Sequence, residues 1–250
     1  MELFGLQGKH ALITGGGSGI GRSIAGVFVD AGAQVTLTGR NEATLRSAVD
    51  ELGPQATYAV HDVTDTQKTV TLVQELESRR PVDILVNNAG RHDKRPTLET
   101  TDEQIREIID TNLLGVLSLS RECARYMVSR SGGSILMVLS MASLFGIPQV
   151  AAYTAAKSGL AGLVRQLAVE WGPRGVRVNG IAPGFIDTAM SRKALDNDPA
   201  RKERVLTRTP LGRLGTVQEI AESALFLSSP AAGFITGVIL PVDGGAAIGF

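Results

Sequence analysis

The feature that most constrains the fold is the regular alternation of short apolar segments with longer helical patterns. Seven segments are predicted to be strands, because they are short, apolar and rich in β-branched residues: 10–14, 34–38, 56–60, 83–87, 134–140, 176–182 and 237–242. Helical patterns lie between them, at 20–31, 42–52, 66–79, 102–130, 152–172 and 216–228. This alternation predicts an α/β fold in which helices cover both faces of a parallel sheet.

The domain organisation follows from the same pattern. No low-complexity linker interrupts the 250 residues, so we predict one domain over 1–250. The rhythm breaks after Pro183-Gly184, where residues 185–210 are rich in charge. Because this segment follows the carboxyl end of a strand, where α/β sheets bind ligands, we predict a substrate lid at about 185–210. A solvated surface excursion is the alternative.

Composition excludes several classes of partner. Lys+Arg and Asp+Glu number 25 each, so no basic field indicates nucleic acid. Cys123 is the single cysteine, which excludes an intramolecular disulfide and fits a reducing compartment. The three histidines lack the spacing of metal ligands, and no apolar run approaches the roughly 20 residues that span a bilayer. The sequence therefore predicts a soluble cytoplasmic protein without a metal site or a membrane partner.

A glycine-rich segment follows the first predicted strand. In TGGGSGIG (14–21), Gly15, Gly19 and Gly21 allow a tight turn and a close approach of the backbone to a pyrophosphate. The following helix offers its free N–H groups to the anion. We therefore predict dinucleotide binding here, with a structural glycine turn as the alternative; the contacting residues would be Gly15, Gly17, Ser18, Gly19, Ile20 and Gly21.

The ends of the next two strands bear on the choice of cofactor. After the second strand the chain reads Gly39-Arg40, without the carboxylate that would bind a ribose 2′-OH. A guanidinium pairs well with a 2′-phosphate, so we predict a preference for NADP(H), with NAD(H) possible. Asp62-Val63, after the third strand, is a candidate contact for the adenine edge.

A phenol and an ammonium lie one helical turn apart in an otherwise small-residue segment. Tyr153 and Lys157 are spaced to share one helix face. A nearby cation favours the phenolate, so the pair could exchange a proton with a carbonyl oxygen during hydride transfer. Ser140, at the end of a predicted strand, could bind the same oxygen, and Asn112 is unfavourable enough inside a helix to require a reason.

Seven features in this order and spacing resemble the short-chain dehydrogenase/reductase family. They are TGGGSGIG (14–21), DV (62–63), NNAG (87–90), Asn112, Ser140, YTAAK (153–157) and PG (183–184). The resemblance extends from about residue 5 to VDGG at 242–245 and so covers nearly the whole chain.

The resemblance implies a single-domain, Rossmann-like, doubly wound sheet of about seven strands and an NAD(P)-dependent oxidoreductase that interconverts a secondary alcohol and a ketone. It implies that Tyr153 is the acid/base, Ser140 orients the carbonyl, Lys157 lowers the pKa of Tyr153 and binds the ribose, and Asn112 holds a relaying water. Further cofactor contacts implied by the resemblance are Asn88, Ala89, Gly90, Pro183, Gly184, Ile186 and Thr188. One departure is Met141, where a second serine often follows; Ser143 is thus an alternative to Ser140.

The loop RHDKRP (91–96) bears on the substrate. Its basic side chains, with Lys94 and Arg95 as the candidates, could bind a carboxylate or phosphate beside the predicted site. KRP followed by TLETTDEQ, and RTPLGRLG (208–215), are similar to the gluconate 5-dehydrogenase-like branch, which implies a sugar acid. The alternative enzyme is a 3-oxoacyl-(acyl-carrier-protein) reductase. The loop could instead be a solvated surface loop without a binding role. An alternative from another class is a catalytically idle nucleotide sensor or scaffold.

The predicted helices 102–130 and 152–172 carry apolar or small residues on more than one face. A helix that is apolar nearly all round is usually buried on both sides. The family resemblance implies a homotetramer built through such helices, with an unusually deep core as the alternative.

Overall fold

Seven parallel strands form one sheet in the order β3-β2-β1-β4-β5-β6-β7. The computed structural model describes residues 2–188, 191–192 and 198–249. The strands are β1 (His10–Thr14), β2 (Gln34–Gly39), β3 (Ala56–Val60), β4 (Ile84–Asn87), β5 (Gly133–Val138), β6 (Val176–Pro183) and β7 (Ile239–Val242). All seven strand predictions are confirmed, with ends displaced by at most two residues.

Helices cover both faces of this sheet. The helices of the described residues are α1 (Gly19–Asp30), α2 (Glu42–Leu52), α3 (Thr66–Arg79), α4 (Asp102–Ile109), α5 (Gly115–Ser129), α6 (Ala151–Trp171), α7 (Pro199–Arg208) and α8 (Val217–Ser228). One apolar core joins the sheet to α1, α2 and α8, and a second joins it to α3, α5 and α6. Ile13 packs in the first core and its neighbour Leu12 in the second, as expected for a strand buried on both faces. The Rossmann-like, doubly wound fold is therefore confirmed.

The strand order reverses at β1, which pairs with β2 on one side and with β4 on the other. The carboxyl ends of β1 and β4 are tied together by Thr14, whose hydroxyl oxygen accepts hydrogen bonds from the backbone N–H groups of Asn88 (3.0 Å) and Ala89 (2.9 Å). In open α/β sheets the ligand crevice lies at such a reversal. The fold thus places the glycine-rich turn and NNAG on the two sides of one crevice.

Two details of local structure differ from the predictions. The predicted helix 102–130 is helical from Asp102 to Ser129, and a π-helical turn at Asp110–Leu114 divides it into α4 and α5. The predicted strand 134–140 ends at Val138, and Ser140 instead begins the short 3-10 turn Met141–Ser143. Both changes occur beside the crevice. There the side chains of Asn112 and Ser140 form hydrogen bonds with the backbone, which the hydrophobic pattern does not predict.

The predicted lid at 185–210 is described in part. Residues 189–190 and 193–197 of this segment lie outside the described residues. Ile186 pairs with Gly215 in an isolated parallel bridge. The segment ends in α7, a helix that the sequence analysis did not predict.

Candidate active site

The glycine-rich turn leaves the start of α1 open to an anion. Gly15 and Gly19 have φ values of +64° and +53°, which side-chain-bearing residues rarely adopt. Ser18 precedes the helix and makes no side-chain capping hydrogen bond, so within the described chain the first N–H groups of α1 have no side-chain cap. Glycine conformation, an uncapped helix start and the strand reversal together make this a site that fits a pyrophosphate.

Asn88 connects the glycine-rich turn to β4. Its side-chain amide donates to the carbonyl oxygens of Thr14 (2.9 Å) and Gly15 (3.2 Å). A Cβ at Gly15 would lie 3.0 Å from Asn88 Nδ2 and 3.1 Å from Ala89 Cα, so the two segments touch with no room for a side chain. The side chain of Asn88 therefore holds the shape of the cofactor crevice.

Arg40 and Asp62 lie at the ends of β2 and β3, farther along the same edge of the sheet. Arg40 is exposed, and its charge helps to lower the pKa of Asp62. Burial alone would raise the pKa of Asp62, but hydrogen bonds from the backbone N–H (3.0 Å) and hydroxyl (2.9 Å) of Thr64 outweigh it. Val63, next in the chain, has its carbonyl packed against Gly115. A guanidinium and an ionised carboxylate thus lie at the same edge of the sheet as the glycine-rich turn.

Tyr153 and Lys157 project from the first turns of α6 toward the end of β5. Lys157 is 3% exposed, and its Nζ donates a 2.7 Å hydrogen bond to the carbonyl of Val138. The same Nζ lies 5.6 Å from the ring centroid of Tyr153. The hydroxyl of Tyr153 is hydrogen-bonded to the side chain of Ser140. The structure therefore brings together the phenol, the ammonium and the serine that the sequence analysis selected.

Burial dominates the electrostatics of this pair. It raises the pKa of Tyr153, and the hydrogen bond with Ser140 opposes that change. It also lowers the pKa of Lys157 to about 8. Desolvation outweighs the other influences on the phenol. That Lys157 lowers the pKa of Tyr153 stays a prediction. Tyr153 is therefore held in its protonated form, as a proton donor must be.

Ser140 and Ser143 have different environments. The hydroxyl oxygen of Ser140 accepts a hydrogen bond from the backbone N–H of Ala142 (3.1 Å) and also meets Tyr153. The hydroxyl of Ser143 donates to the carbonyl of Ser140 at 2.6 Å. Ser143 is thus engaged in closing the turn, and the geometry favours Ser140 as the serine that faces the reacting centre.

The π-helical turn positions Asn112. Its side-chain amide donates to the carbonyls of Ile108 (2.9 Å) and Arg91 (2.8 Å), while its Oδ1 accepts from the N–H of Arg91 (3.1 Å). A Cβ at Gly90 would lie 2.8 Å from Asn112 Oδ1 and 3.8 Å from Lys157 Nζ. The buried Asn112 and the ammonium of Lys157 therefore both lie close to Gly90.

The basic loop 91–96 lies against the start of α6. Arg91 forms a 2.8 Å ion pair with Glu107, and Arg95 Nε lies 3.6 Å from a carboxylate oxygen of Asp93. Lys94 is exposed and has no ion pair with any described residue. Of the two predicted substrate contacts, Lys94 is therefore the one whose charge is open to a ligand.

Two contacts made by this loop were not predicted from the sequence. His92 packs against the ring of Tyr153, and the carbonyl of Gln149 accepts a hydrogen bond from Arg95 N–H at 2.8 Å. Its place in the basic loop, two residues after NNAG, was the available signal for His92. No local signal marks Gln149, because its role depends on a contact between distant segments.

The remaining predicted cofactor residues follow β6. Pro183 ends the strand, and a Cβ at Gly184 would collide with Asp243, so the chain must turn there without a side chain. Ile186 is buried, and the backbone N–H and hydroxyl of Thr188 bond to the hydroxyl of Ser191 at 2.8 and 3.2 Å. These residues lie at the carboxyl edge of the sheet, as the other predicted contacts do.

Other candidate chemistry is weak. Cys123 is fully buried, and burial raises the pKa of its thiol, so it is a poor nucleophile. Among the described residues, no three or more His, Cys, Asp or Glu side chains cluster as metal ligands. Within the same part of the chain, no helix combines the length and apolar character needed to cross a membrane.

Known proteins are similar to this chain in sequence and in fold. A family model described as Enoyl-(Acyl carrier protein) reductase matches residues 15–247. Galactitol 2-dehydrogenase (L-tagatose-forming) of Cereibacter sphaeroides is 44% identical, over 97% of this chain and 96% of that protein. The 3-oxoacyl-(acyl-carrier-protein) reductase of Escherichia coli K12 is 40% identical, over 96% of this chain and 97% of the relative.

A solved structure is similar along its whole length. The gluconate 5-dehydrogenase of Burkholderia cenocepacia, crystallised in complex with NADP and tartrate, has a TM-score of 0.94 and 35% identity. The match covers 100% of this chain and 99% of that one.

Proposed function

This chain belongs to the short-chain dehydrogenase/reductase family, and from that premise we propose that it interconverts a ketone and a secondary alcohol with NADP(H), using Tyr153 as acid/base. The single observation that carries the proposal is the contact of Tyr153 with Ser140 and Lys157 at the end of β5. The enzyme class is that of an oxidoreductase acting on CH–OH groups.

The proton is handled by the residues around Tyr153. During reduction, one hydride reaches the carbonyl carbon and the phenol gives its proton to the carbonyl oxygen, which leaves an alcohol and a phenolate. Ser140, bonded to the same phenol, hydrogen-bonds the carbonyl oxygen and orients it. Lys157 places a cation beside the phenolate as it forms, and Asn112 fixes the loop next to Lys157.

The glycine-rich crevice fits NADP(H), which supplies or takes up the hydride when bound. Gly15 to Gly21 would hold the pyrophosphate, with Gly17, Ser18 and Ile20 in the turn. Asn88, Ala89 and Gly90 would line the crevice, and Pro183, Gly184, Ile186 and Thr188 would meet the nicotinamide end. Arg40 would pair with the 2′-phosphate near Asp62 and Val63, and relatives crystallised with NADP support this choice; NAD(H) is the weaker cofactor.

The substrate we favour is a sugar acid. Lys94, with Arg95 beside it, offers a cationic surface near Tyr153 for a substrate carboxylate. One relative supports this class by name, a gluconate 5-dehydrogenase whose crystals contained tartrate, a hydroxylated carboxylate. A galactitol 2-dehydrogenase acts by name on a polyol, which shares the hydroxyl groups of a sugar acid and lacks its carboxylate.

A screen of 5-keto-D-gluconate and acetoacetyl thioesters with NADPH and NADH tests this function. We expect oxidation of NADPH with the keto acid, and a rise in its KM of about ten-fold in Lys94→Ala/Arg95→Ala. The matched control, Lys9→Ala/Arg174→Ala, removes the same charge near the amino ends of β1 and β6 and should leave KM unchanged. Cofactor binding without turnover of any ketone would favour the idle sensor instead.

A 3-oxoacyl thioester is the second candidate substrate. The Escherichia coli reductase of that class is 40% identical to this chain, and the same basic loop could dock an acidic carrier protein. Preferential turnover of the thioester in the screen would favour this candidate over the sugar acid.

We also propose that 1–250 acts as one domain, with 185–210 as its substrate cover. The guanidinium of Arg208, at the end of α7, lies 4.1 Å from the ring centroid of Phe145, which follows the turn that carries Ser140. This contact links the proposed cover to the reacting centre.

Assembly into a cytoplasmic homotetramer is the remaining part of the proposal. Large apolar side chains are exposed beside α5, on α6 and before β7, namely Leu114, Val169 and Phe234. Exposed apolar side chains on long helices suit contacts between subunits. The single cysteine, free and buried, fits a reducing compartment.

A further inference from the structure

His92 lies on the ring of the proposed acid/base. Its imidazole centroid is 5.1 Å from the ring centroid of Tyr153, with the two ring planes at 70°. Ser140 engages the hydroxyl of the same tyrosine, so His92 and Ser140 meet different parts of one side chain. His92 is also exposed, so it borders the space in which a substrate approaches Tyr153.

The backbone on both sides of His92 is fixed. Arg91 is held through its N–H and its carbonyl by the side chain of Asn112, at 3.1 and 2.8 Å. Arg95 N–H donates to the carbonyl of Gln149 at 2.8 Å. Gln149 has a φ of +68°, a conformation that non-glycine residues seldom adopt and that often occurs at functional sites. The position of His92 is therefore set by contacts from two distant segments.

The chemistry of imidazole suits a neighbouring hydroxyl. A reacting carbonyl must place its oxygen at the hydroxyl of Tyr153. The carbon next to the carbonyl then comes near the side chains that surround the ring of Tyr153, of which His92 is one. The nitrogen atoms of an imidazole ring can hydrogen-bond a hydroxyl. A site that hydrogen-bonds a substrate hydroxyl discriminates against the analogue that lacks it.

We propose that His92 is a specificity-determining residue that selects ketones with a hydroxyl on the carbon next to the carbonyl. The inference rests on the reaction proposed above, and it is independent of the carboxylate contact assigned to Lys94 and Arg95. It also separates the two candidate substrates, since a sugar acid carries such a hydroxyl and a simple 3-oxoacyl thioester does not.

The test compares two small ketones that differ only in this hydroxyl. 3-Hydroxybutan-2-one and butan-2-one are reduced with NADPH by the wild-type protein, by His92→Phe and by His92→Gln. Phenylalanine keeps an aromatic ring against Tyr153 without hydrogen-bonding groups, and glutamine keeps those groups without the ring. We expect wild-type kcat/KM to favour the hydroxylated ketone by about ten-fold, His92→Phe to reduce this preference to about two-fold or less, and His92→Gln to keep most of it.

Three results would overturn the inference: no preference in the wild type, an undiminished preference in His92→Phe, or a loss in His92→Phe that is equal for both ketones. The last result would assign His92 a packing role only. Turnover of butan-2-one by the wild type preserves the proposed function in each of these cases. If the wild type reduces no ketone with either cofactor, the proposed function fails, and this inference fails with it.

Discussion

At the scale of residues, Tyr153 and Lys157 respond to burial in opposite directions. Burial raises the pKa of the phenol and keeps it protonated, whereas it lowers the pKa of the ammonium to about 8. A protonated Tyr153 is ready to donate during ketone reduction, and alcohol oxidation requires the less accessible phenolate. We therefore expect a higher pH optimum for oxidation than for reduction.

Because the ammonium of Lys157 is buried, its contribution to the stability of the protein depends on pH. The pKa of Lys157 is about 8 in the folded protein and 10.5 for an ordinary, solvated lysine, so between these pH values the unfolded chain binds more protons. The contribution of Lys157 to the free energy of unfolding therefore increases with pH across this window. In urea unfolding, the free energy of unfolding of the wild type, relative to that of Lys157→Met, should increase by about 2 kcal/mol between pH 7.5 and 9.5. A constant difference between the two proteins would contradict the lowered pKa.

The sequence predicted the chemical residues better than their environment. Helical spacing raised Tyr153 and Lys157 as candidates, and the family resemblance implied their roles and that of Ser140. The sequence could not show that Ser143 bonds to the carbonyl of Ser140, or that desolvation governs the pKa of Tyr153. Both depend on how segments far apart in the chain pack.

At the scale of elements, the join between the glycine-rich turn and α1 has no room for a side chain at Gly21. A Cβ there would collide with Asn88 Nδ2 and the carbonyl of Gly15. We predict that Gly21→Ala weakens NADPH binding at least ten-fold and lowers stability by about 1–3 kcal/mol. Fluorescence titration with NADPH and thermal unfolding would measure the two effects.

Gly26→Ala is the matched control in the same helix. A Cβ at Gly26 meets only Leu52, at an ordinary 3.6 Å, so alanine should stabilise α1 by about 0.4–1 kcal/mol and leave binding unchanged. Equal NADPH affinity in both variants would show that the turn does not hold the cofactor.

The π-helical turn is an element that sequence reasoning missed. Hydrophobic periodicity runs through 102–130 without a break, yet the chain inserts a π-helical turn at Asp110–Leu114. That turn aims Asn112 at the backbone of Arg91, a contact across 21 residues. The hydrophobic pattern of a helix indicates which of its faces is buried. It does not predict a hydrogen bond between Asn112 and the distant backbone of Arg91.

At the scale of the whole molecule, the prediction concerns assembly. If copies join through the exposed faces near α5 and on α6, Leu114→Glu/Val169→Glu should place uncompensated charges in the interface. Light scattering after size-exclusion chromatography should then show four chains in the wild type and fewer in the variant. Leu98→Glu, a charge at a fully exposed leucine outside these helices, should leave the assembly intact. A monomeric wild type would refute the proposal.

The global architecture was the most predictable feature. Seven strands in βαβ order leave few arrangements once crossovers are right-handed, and the observed sheet follows from them. The substrate-facing surface was the least predictable, because the loop 91–96 is positioned by Asn112 and Gln149. Fold and cofactor crevice thus follow from local pattern, whereas specificity depends on a few long-range contacts.

The most direct test of the account is the NADPH-dependent ketone reduction rate of Tyr153→Phe, with Tyr58→Phe as its control. Tyr58 is hydrogen-bonded to Glu42 away from the reacting centre. We predict that Tyr153→Phe lowers kcat by at least about 100-fold while NADPH affinity is retained, because the proton donor is gone, and that Tyr58→Phe leaves kcat unchanged. A folded Tyr153→Phe protein that reduces the same ketone at the wild-type rate would contradict the assignment.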